Sequence, residues 1–480
     1  MKSVFRGFLL LAITLVVVLV VNTVRFESKQ LNVQVVPAPP LTDLALEHFQ
    51  QAVRIKTISF GDTIPPDSSQ FFAFHRFLRS AYPRVHENLA LEKVKDYSLL
   101  YKWEGSNPSA NPIVLMAHMD VVPVEPGTES IWTVDPFGGV IKNDTIWGRG
   151  TTDDKMNLIA MMEAVETLLA SGFTPSQTIY FSFGHDEEIG GAGAIAIASL
   201  LKSRNISASL VLDEGGIITL DKVPGVSQPV ALIGTSEKGY LSLNLSVEVN
   251  GGHSSMPGTE TAIDILSRAI LKLRDNPFEA GFSKSTSDFM DYVGPEQPFL
   301  QKMFFANRWL FESVIIGIYE GSAGGNAMVR TTIAPTIFNA GIKDNIIPTI
   351  ARATINFRLL PGDSREAVIE KVKYILADDR VKVEPTAFGN EPSKVTPTDG
   401  IAFKAVERSI RSTFDNTIVA PFLMVGATDS RHFSEVSDQI IKFSPMSDPI
   451  GFHGIDERIS VDGFRHGIWF YEQLIRSFNE

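Results

Sequence analysis

Short apolar segments that run directly into clusters of polar residues are the feature that most constrains the fold of this chain. Such segments cover residues 112–116, 178–183 and 210–212, and they lead into His118, His185 and Asp213. Between them, residues 156–170 and 194–202 carry apolar residues at helical spacing. Alternating strands and helices predict a layered α/β domain, in which ligands bind at the carboxyl ends of the strands.

The pattern changes from about residue 236. Residues 241–249 and 351–359 alternate as half-exposed strands do, and residues 260–274 and 365–377 have the pattern of helices. We therefore predict an inserted α+β domain over residues 236–389, between two parts of a catalytic domain at 41–235 and 390–480. The chain is expected to end in a helix at 462–478, and no element is predicted for the aromatic-rich stretch 276–325.

The N-terminus predicts export. An apolar run at residues 7–21 follows Lys2 and Arg6, and Arg25 closes it. No small-residue cleavage site follows, so we interpret residues 1–25 as a retained signal-anchor, with cleavage and secretion as the alternative. The basic residues predict a cytoplasmic amino end and a single-pass membrane protein whose catalytic domain is exported. Residues 26–40, rich in Val and Pro, are expected to be an extended tether.

Composition excludes some functions. The net charge of -12 argues against nucleic acid as a partner, because phosphate binding needs clustered Lys and Arg. The chain has no cysteine, so disulfides and thiolate zinc sites are impossible. Any metal must therefore be held by histidine and carboxylate ligands.

Four polar clusters supply such ligands: His118–Asp120, Asp153–Asp154, His185–Glu188 and Asp213–Glu214. Each alone has an ordinary structural explanation, such as a helix cap for the Asp153–Asp154 pair. Adjacent carboxylates repel unless a cation or a proton neutralises them, however, and all four clusters contain carboxylates. Taken together they predict a hydrolytic site with two metal ions.

The order of these motifs resembles the aminoacylase/carboxypeptidase family of co-catalytic zinc peptidases, and within it the carboxypeptidase S and N-fatty-acyl-amino-acid synthase/hydrolase branches. The motifs are MAHMDVVP, GRGTTDDK, FGHDEEIGG, LDEGG, GGHSS, NFRLLPGD, GATDSRHF and FHGIDERIS. The resemblance implies an α/β fold: a zinc-peptidase catalytic domain, with a mixed sheet flanked by helices, and an inserted α+β lid or dimerisation domain. It covers the chain after the anchor.

The resemblance also implies roles for individual residues. Two Zn²⁺ ions, with Co²⁺ or Mn²⁺ as possible substitutes, would be bound by His118, Asp153, Glu188, Asp213 and His453. Asp153 would bridge the metals, and Glu214 is an alternative to Asp213. Water activated between the metals would attack the amide with Glu187 as general base, Asp120 would orient a neighbouring ligand, and His253 would contact the oxyanion or be an ordinary loop residue.

Substrate recognition is assigned in the same way. Arg358 would bind a substrate carboxylate, with Asn326 and Arg431 nearby, although Arg358 could instead pair with a surface acid. The expected substrate is a peptide or N-acyl amino acid cut beside a free carboxylate, and a homodimer through the inserted domain is possible. The alternatives are a reversible synthase/hydrolase for long-chain fatty acyl amides, and a binding ectodomain that has lost its metals.

Overall fold

The computed structural model describes residues 2–61 and 64–479. Met1 of the predicted anchor, Asp62 and Thr63 of the first catalytic segment and Glu480 of the second lie outside the described residues. The α-helices are, in order, α1 (Lys2–Arg25), α2 (Asp43–Arg54), α3 (Ser68–Ala81), α4 (Pro83–Asn88), α5 (Lys155–Ala170), α6 (Ala192–Ser203), α7 (Ala262–Asp275), α8 (Lys284–Val293), α9 (Phe299–Ala306), α10 (Arg308–Glu320), α11 (Ala323–Val329), α12 (Arg365–Leu376), α13 (Ile401–Thr413) and α14 (Val461–Ser477).

The strands form one large mixed sheet, one smaller antiparallel sheet and two short ribbons. They are β1 (Ala90–Val94), β2 (Ser98–Trp103), β3 (Ile113–His118), β4 (Val140–Lys142), β5 (Thr145–Trp147), β6 (Ile179–Gly184), β7 (Leu210–Asp213), β8 (Ile218–Thr219), β9 (Val230–Glu237), β10 (Gly239–Glu248), β11 (Gly252–His253), β12 (Thr332–Ala340), β13 (Ile346–Ile347), β14 (Ile350–Leu359), β15 (Val381–Asn390), β16 (Ile418–Met424), β17 (Ile440–Lys442) and β18 (Arg458–Ser460).

The large sheet has the strand order β1-β2-β6-β3-β7-β17-β9-β16, with β8 paired to β9. Its central strands β6, β3, β7 and β17 run parallel, while β2 and β9 flank them in the opposite direction. Helices cover both faces. On β3, Ile113 and Leu115 pack in the core that includes α5 and α14, whereas Val114 and Met116 pack against α6. Burial on both faces explains why these strands are continuously apolar in sequence.

The inserted domain is built on the antiparallel sheet β12-β14-β10-β15. Alternate residues of β10, from Leu241 to Val247, face α7 and α12, and the intervening side chains face away from that core. The helix α7 begins with a capping box, in which the side chains of Thr261 and Asp264 each accept a hydrogen bond from the other residue's backbone N–H. The expected fold class, a mixed sheet flanked by helices with an inserted α+β domain, is observed.

The chain passes directly from the large sheet to the small one and returns to the large sheet through helix α13. The chain leaves the large sheet at Glu237 and enters the small one at Gly239, and β15 ends the small sheet at Asn390. Within this insertion, however, α8 packs on the catalytic part. The ring centroids of Tyr292 and Phe403 lie 5.5 Å apart, and Tyr292 belongs to the large core. The stretch 276–325, for which no element was predicted, contains α8, α9, α10 and the start of α11.

The N-terminal helix α1 is exposed along most of its length. Among the described residues it is the one helix long and apolar enough to cross a membrane, and a cleaved signal sequence would have the same character. The following segment 26–40, predicted as a tether, contains no helix or strand and is bound to the catalytic domain. The amide of Gln30 exchanges hydrogen bonds with the backbone of Val419 on the edge strand β16, and Trp469 donates its indole N–H to Val36 O.

Candidate active site

The predicted ligands converge at one edge of the large sheet. His118 ends β3, Asp213 ends β7, and the turn with Glu187 and Glu188 follows β6. These three strands are parallel neighbours, so their carboxyl ends meet. Asp153 joins them from the loop before α5, and His453 from the loop before β18. The convergence follows from the general placement of ligand sites in open α/β sheets.

One candidate metal group consists of His118, Asp153 and Glu214. The Nε2 atom of His118 lies 2.9 Å from Asp153 Oδ1 and 3.3 Å from Glu214 Oε1. A second group consists of Asp153, Glu188 and His453, where His453 Nε2 lies 2.8 Å from Asp153 Oδ2 and 3.1 Å from Glu188 Oε2. Asp153 therefore presents one oxygen to each group, which is the arrangement of a carboxylate that bridges two metal ions.

The structure places Glu214, and not Asp213, in the candidate metal group. Asp213 accepts hydrogen bonds from the backbone N–H groups of Ser430, at 2.7 Å, and Glu214, at 3.0 Å. Successive side chains at the end of a strand point to opposite sides, so only one of the two neighbouring carboxylates can face His118. In this geometry Glu214 faces His118 and Asp213 faces backbone N–H groups, so the assignment of either carboxylate as the ligand stays a prediction.

The donor set fits hard or borderline cations. Imidazole and carboxylate atoms are the only ligands offered, and the Oε1 atom of Glu188 is buried without a hydrogen-bond partner among the described residues. Burial, reinforced by the charge of Asp153, raises the pKa of both Glu188 and Glu214. A divalent cation would relieve this repulsion and would give the orphaned oxygen a partner.

Asp120 contacts both His118 and the turn that carries Glu187 and Glu188. Its Oδ1 lies 3.2 Å from His118 Nδ1, and its carboxylate also accepts from Ser59 Oγ and from the backbone N–H groups of Glu187 and Glu188. Burial disfavours the charged form of Asp120, but the hydrogen bond and charge of His118 outweigh it and lower its pKa. This one carboxylate thus fixes the orientation of the His118 imidazole and the position of the turn that carries Glu187 and Glu188.

Glu187 has the electrostatic character of a proton-transfer group. It lies on the 3₁₀ turn after β6, beside the ligand Glu188. Burial, together with the charges of Asp429 and Glu188, raises its pKa well above the usual range of a carboxyl, although His118 acts in the opposite sense. A carboxyl with a raised pKa holds a proton more readily than an ordinary carboxyl, as a group that accepts and returns a proton must. Asp154, next to Asp153, joins neither metal group and accepts from His118 N and Asn157 instead.

Sequence reasoning missed Glu457, which fixes the loop that carries Asp153. Its fully buried carboxylate accepts from the backbone N–H groups of Gly150, Thr152 and Asp153, and it forms an ion pair with Arg149. Arg149 in turn donates to the carbonyl of Gly454, beside His453. The two loops that supply the second metal group are thereby tied together. Nothing local distinguishes Glu457 in sequence from Asp456 and Arg458, its charged neighbours in the motif FHGIDERIS.

The remaining predicted residues lie on or near the inserted domain. His253 is exposed on β11, with its Nδ1 2.8 Å from Ser255 Oγ, and no hydrogen bond or ion pair within residues 2–61 and 64–479 joins it to the metal groups. Asn326 lies on α11. Arg431 borders a cavity of about 520 Å³ that is also lined by Glu237 and Lys442. Their roles stay predictions.

Arg358, on β14, is half-buried and has no acidic partner in the described part of the chain. Its guanidinium carbon lies 4.7 Å from the centroid of the Tyr240 ring, and burial lowers its pKa. The alternative interpretation, a pair with a surface acid, finds no support in this geometry.

Comparison with known proteins identifies the family. Residues 114–477 match peptidase family M20/M25/M40. The chain belongs to this family. It is 41% identical to "Probable carboxypeptidase S-like 2" of Dictyostelium discoideum, over 97% of this chain and 92% of the relative. It is 37% identical to the N-fatty-acyl-amino acid synthase/hydrolase PM20D1 of Homo sapiens, over 90% of this chain and 87% of that protein.

A solved structure shares the fold. The M20 family metallo-carboxypeptidase Sso-CP2 from Sulfolobus solfataricus superposes with a TM-score of 0.68, at 18% identity, over 91% of this chain and 100% of that one. The family match and the two relatives identify the chain as a hydrolase of the M20 metallopeptidase family, as its motifs indicated.

The two candidate ligand assignments can be separated by metal analysis. We expect Glu214→Gln to bind about one zinc per chain fewer than the parent after dialysis against the same free zinc, because an amide is a much poorer ligand than a carboxylate. The matched variant Asp213→Asn should keep the parent zinc content, since Asp213 faces backbone N–H groups. If Asp213→Asn lost zinc and Glu214→Gln kept it, Asp213 would be the ligand.

Metal binding should release protons. Hydrogen bonds to Asp153 and Glu188 raise the pKa of His453 to about 10, so the imidazole is protonated at neutral pH when it pairs with these carboxylates. A metal ion must displace that proton, and its affinity should therefore rise with pH up to about 10. Calorimetry at pH 7.5 in buffers of different ionisation enthalpy measures the protons released. Release of none would show that His453 is already neutral.

Proposed function

We propose that the chain is a two-zinc amidohydrolase that cuts a peptide or N-acyl amide bond beside a free carboxylate. The observation that carries the proposal is the position of Asp153, whose two oxygens face two separate ligand groups. His118, Asp153 and Glu214 would hold one zinc, and Asp153, Glu188 and His453 the other. When bound, paired zinc ions lower the pKa of water and polarise a carbonyl oxygen.

Glu187 moves the proton in this proposal. Its carboxylate takes a proton from the attacking water and returns it to the leaving nitrogen, for which its raised pKa is suited. Asp120 keeps Glu187 in place through the backbone N–H of that residue. His253 would donate to the developing oxyanion. Since His253 is exposed on the inserted domain, this contact requires that domain to close or a partner subunit to supply its copy.

Arg358 would bind the substrate carboxylate. A half-buried guanidinium that lacks an acidic partner retains its donors for a ligand, and the Tyr240 ring limits its orientations. Asn326 and Arg431 are proposed to complete the substrate site. The relatives include a carboxypeptidase S-like protein and an N-fatty-acyl-amino acid synthase/hydrolase, so both peptides and N-acyl amino acids fit this class.

Reversible synthesis and hydrolysis of long-chain fatty acyl amides is the second candidate. It is favoured by the similarity to the human synthase/hydrolase along 90% of this chain. The same site serves both directions, because a catalyst that cleaves an amide also forms it when the products are abundant. Parallel assays with dipeptides and with N-acetyl and N-lauroyl amino acids, in both directions, distinguish these substrates.

Exposed apolar surfaces support a membrane location and a homodimer. We propose that α1 is retained as a single-pass anchor with an exported catalytic domain; cleavage of α1 would make the protein secreted. A homodimer through the inserted domain is supported by its edge strand β12, on which Ile337 and Phe338 are exposed. Edge strands of this kind pair readily with a second copy.

The role of Glu187 is tested by Glu187→Gln. The amide cannot accept the proton, so kcat should fall by about 10²- to 10⁴-fold while the zinc content stays at that of the parent. Turnover and metal content are measured on the same preparation. Activity near that of the parent at full zinc content would remove Glu187 from the mechanism, and loss of zinc would make it a ligand.

The role of Arg358 is tested by Arg358→Ala beside the control Arg352→Ala. Arg352 is exposed on the same strand and should be dispensable. Loss of the carboxylate contact should raise KM by about 10- to 100-fold for substrates with a free carboxylate, equivalent to about 1.5–3 kcal/mol. Amidated substrates should be affected much less. An equal effect on both substrate classes would exclude carboxylate binding by Arg358.

A further inference from the structure

The helical hairpin formed by α9 and α10 exposes apolar side chains that the catalytic function does not use. On α10, Leu310, Val314 and Ile318 form a stripe at intervals of four residues, and Ile318 is 70% exposed. Trp309 beside the stripe is 62% exposed, and Phe299 and Leu300 extend the surface onto α9. We call these six residues the hairpin surface. Exposed apolar residues clustered on neighbouring helices are typical of interaction sites.

The hairpin is attached to the end of α1. Asn307, between α9 and α10, is fully buried, and its side chain donates to Leu19 O at 3.1 Å and accepts from Asn22 Nδ2 at 2.9 Å. Thr23, in the last turn of α1, is fully buried, in contrast to the exposed turns before it. The hairpin therefore lies at the level where the apolar helix α1 ends.

Charged residues hold this assembly on the side of the catalytic domain. Asp291 of α8 forms ion pairs with Arg308 at the start of α10 and with Lys29 just after α1. The adjacent Gln30 is bound to strand β16. Because both α1 and the hairpin are fastened to the same domain, they have a fixed relative position, and a membrane that contains α1 would meet the hairpin surface.

We propose that the hairpin surface is inserted into the headgroup and acyl boundary of the bilayer beside α1. The chemistry fits a lipid surface. The stripe is aliphatic. The two acids of α10, Glu312 and Glu320, lie about half a turn away from Val314 and Ile318 around the helix, and Glu320 forms an ion pair with Arg330. Trp309 is of the residue type that favours the membrane interface. The proposal is independent of the catalytic assignment.

The insertion would set the orientation of the active site. The helix α10 leads into α11, and Tyr319 packs against the cluster of Met328 and Val329 on α11, the helix that also carries Asn326. The membrane contact and the candidate substrate site are thus connected by one short helical segment. A substrate that partitions into lipid would reach the site from the membrane side.

The absence of cysteine allows a direct test. Single variants Leu310→Cys, Val314→Cys and Ile318→Cys, in the full chain and labelled with an environment-sensitive fluorophore, are placed in nanodiscs of phosphatidylcholine and phosphatidylglycerol. We expect blue-shifted emission and loss of about half of the fluorescence when the lipids carry a spin label in the upper acyl chain. Glu312→Cys is the control on the same helix, and Ile342→Cys, at a position 94% exposed on the inserted domain, is the control for water.

Fluorescence at the three hairpin positions that matches Ile342→Cys would overturn the proposal. So would a blue shift without quenching by the lipid, which would show that protein, such as a second copy, covers the surface. The labels are also measured in the Glu187→Gln background. Lipid quenching there should be unchanged, so failure of the membrane contact and failure of the catalytic proposal are separate results.

Discussion

Mutual repulsion among buried carboxylates is the constraint on which the site depends. Asp153, Glu188 and Glu214 converge at one edge of the large sheet, and Asp154 lies directly behind them. Burying like charges together costs free energy unless hydrogen-bond donors, protons or cations compensate. The pKa of Glu188 and of Glu214 is raised for this reason, first by burial and then by Asp153. A pair of divalent cations is the compensation that this donor set suits.

Residues that are distant in sequence hold the loops of these carboxylates in place. Arg149 and Glu457 are far apart in sequence, yet their ion pair joins the loop of Asp153 to the loop of His453. Removing one member of a buried pair leaves an uncompensated charge, so the two loops depend on each other. The C-terminal segment that follows the inserted domain is therefore part of the site and supplies both His453 and Glu457.

The N-terminal segment fixes the position of α1 relative to the catalytic domain. Residues 26–40 bind along the catalytic domain through Gln30 and Val36, so the distance between α1 and the large sheet is set by hydrogen bonds rather than by a flexible linker. The hairpin of α9 and α10 packs on the last turn of α1 through Asn307. An apolar helix, an apolar hairpin and the catalytic domain consequently form one unit.

Local patterns were sufficient to predict the strands that carry the site and several of the longer helices, because burial imposes a period on the sequence. The helix predicted at 365–377 is α12 (Arg365–Leu376), and the alternating segment 351–359 is β14 (Ile350–Leu359). No helix was predicted in the stretch 276–325 because the helices there are short and apolar on more than one side. They pack on α1, on the large core and against each other. No single period describes such helices.

The sequence by itself predicted the chemistry of the site. The ordered motifs, the absence of sulfur ligands and the polar residues at the strand ends together predicted His118, Asp153, Glu188 and His453 as metal ligands. Only the tertiary structure shows that Glu214 faces His118 while Asp213 accepts from Ser430 N, because adjacent carboxylates are equivalent in sequence until the end of the strand turns one of them towards His118. Tertiary structure alone also revealed Glu457, whose partners are backbone N–H groups about three hundred residues earlier in the chain. Such contacts have no local signature, since backbone donors are present at almost every residue.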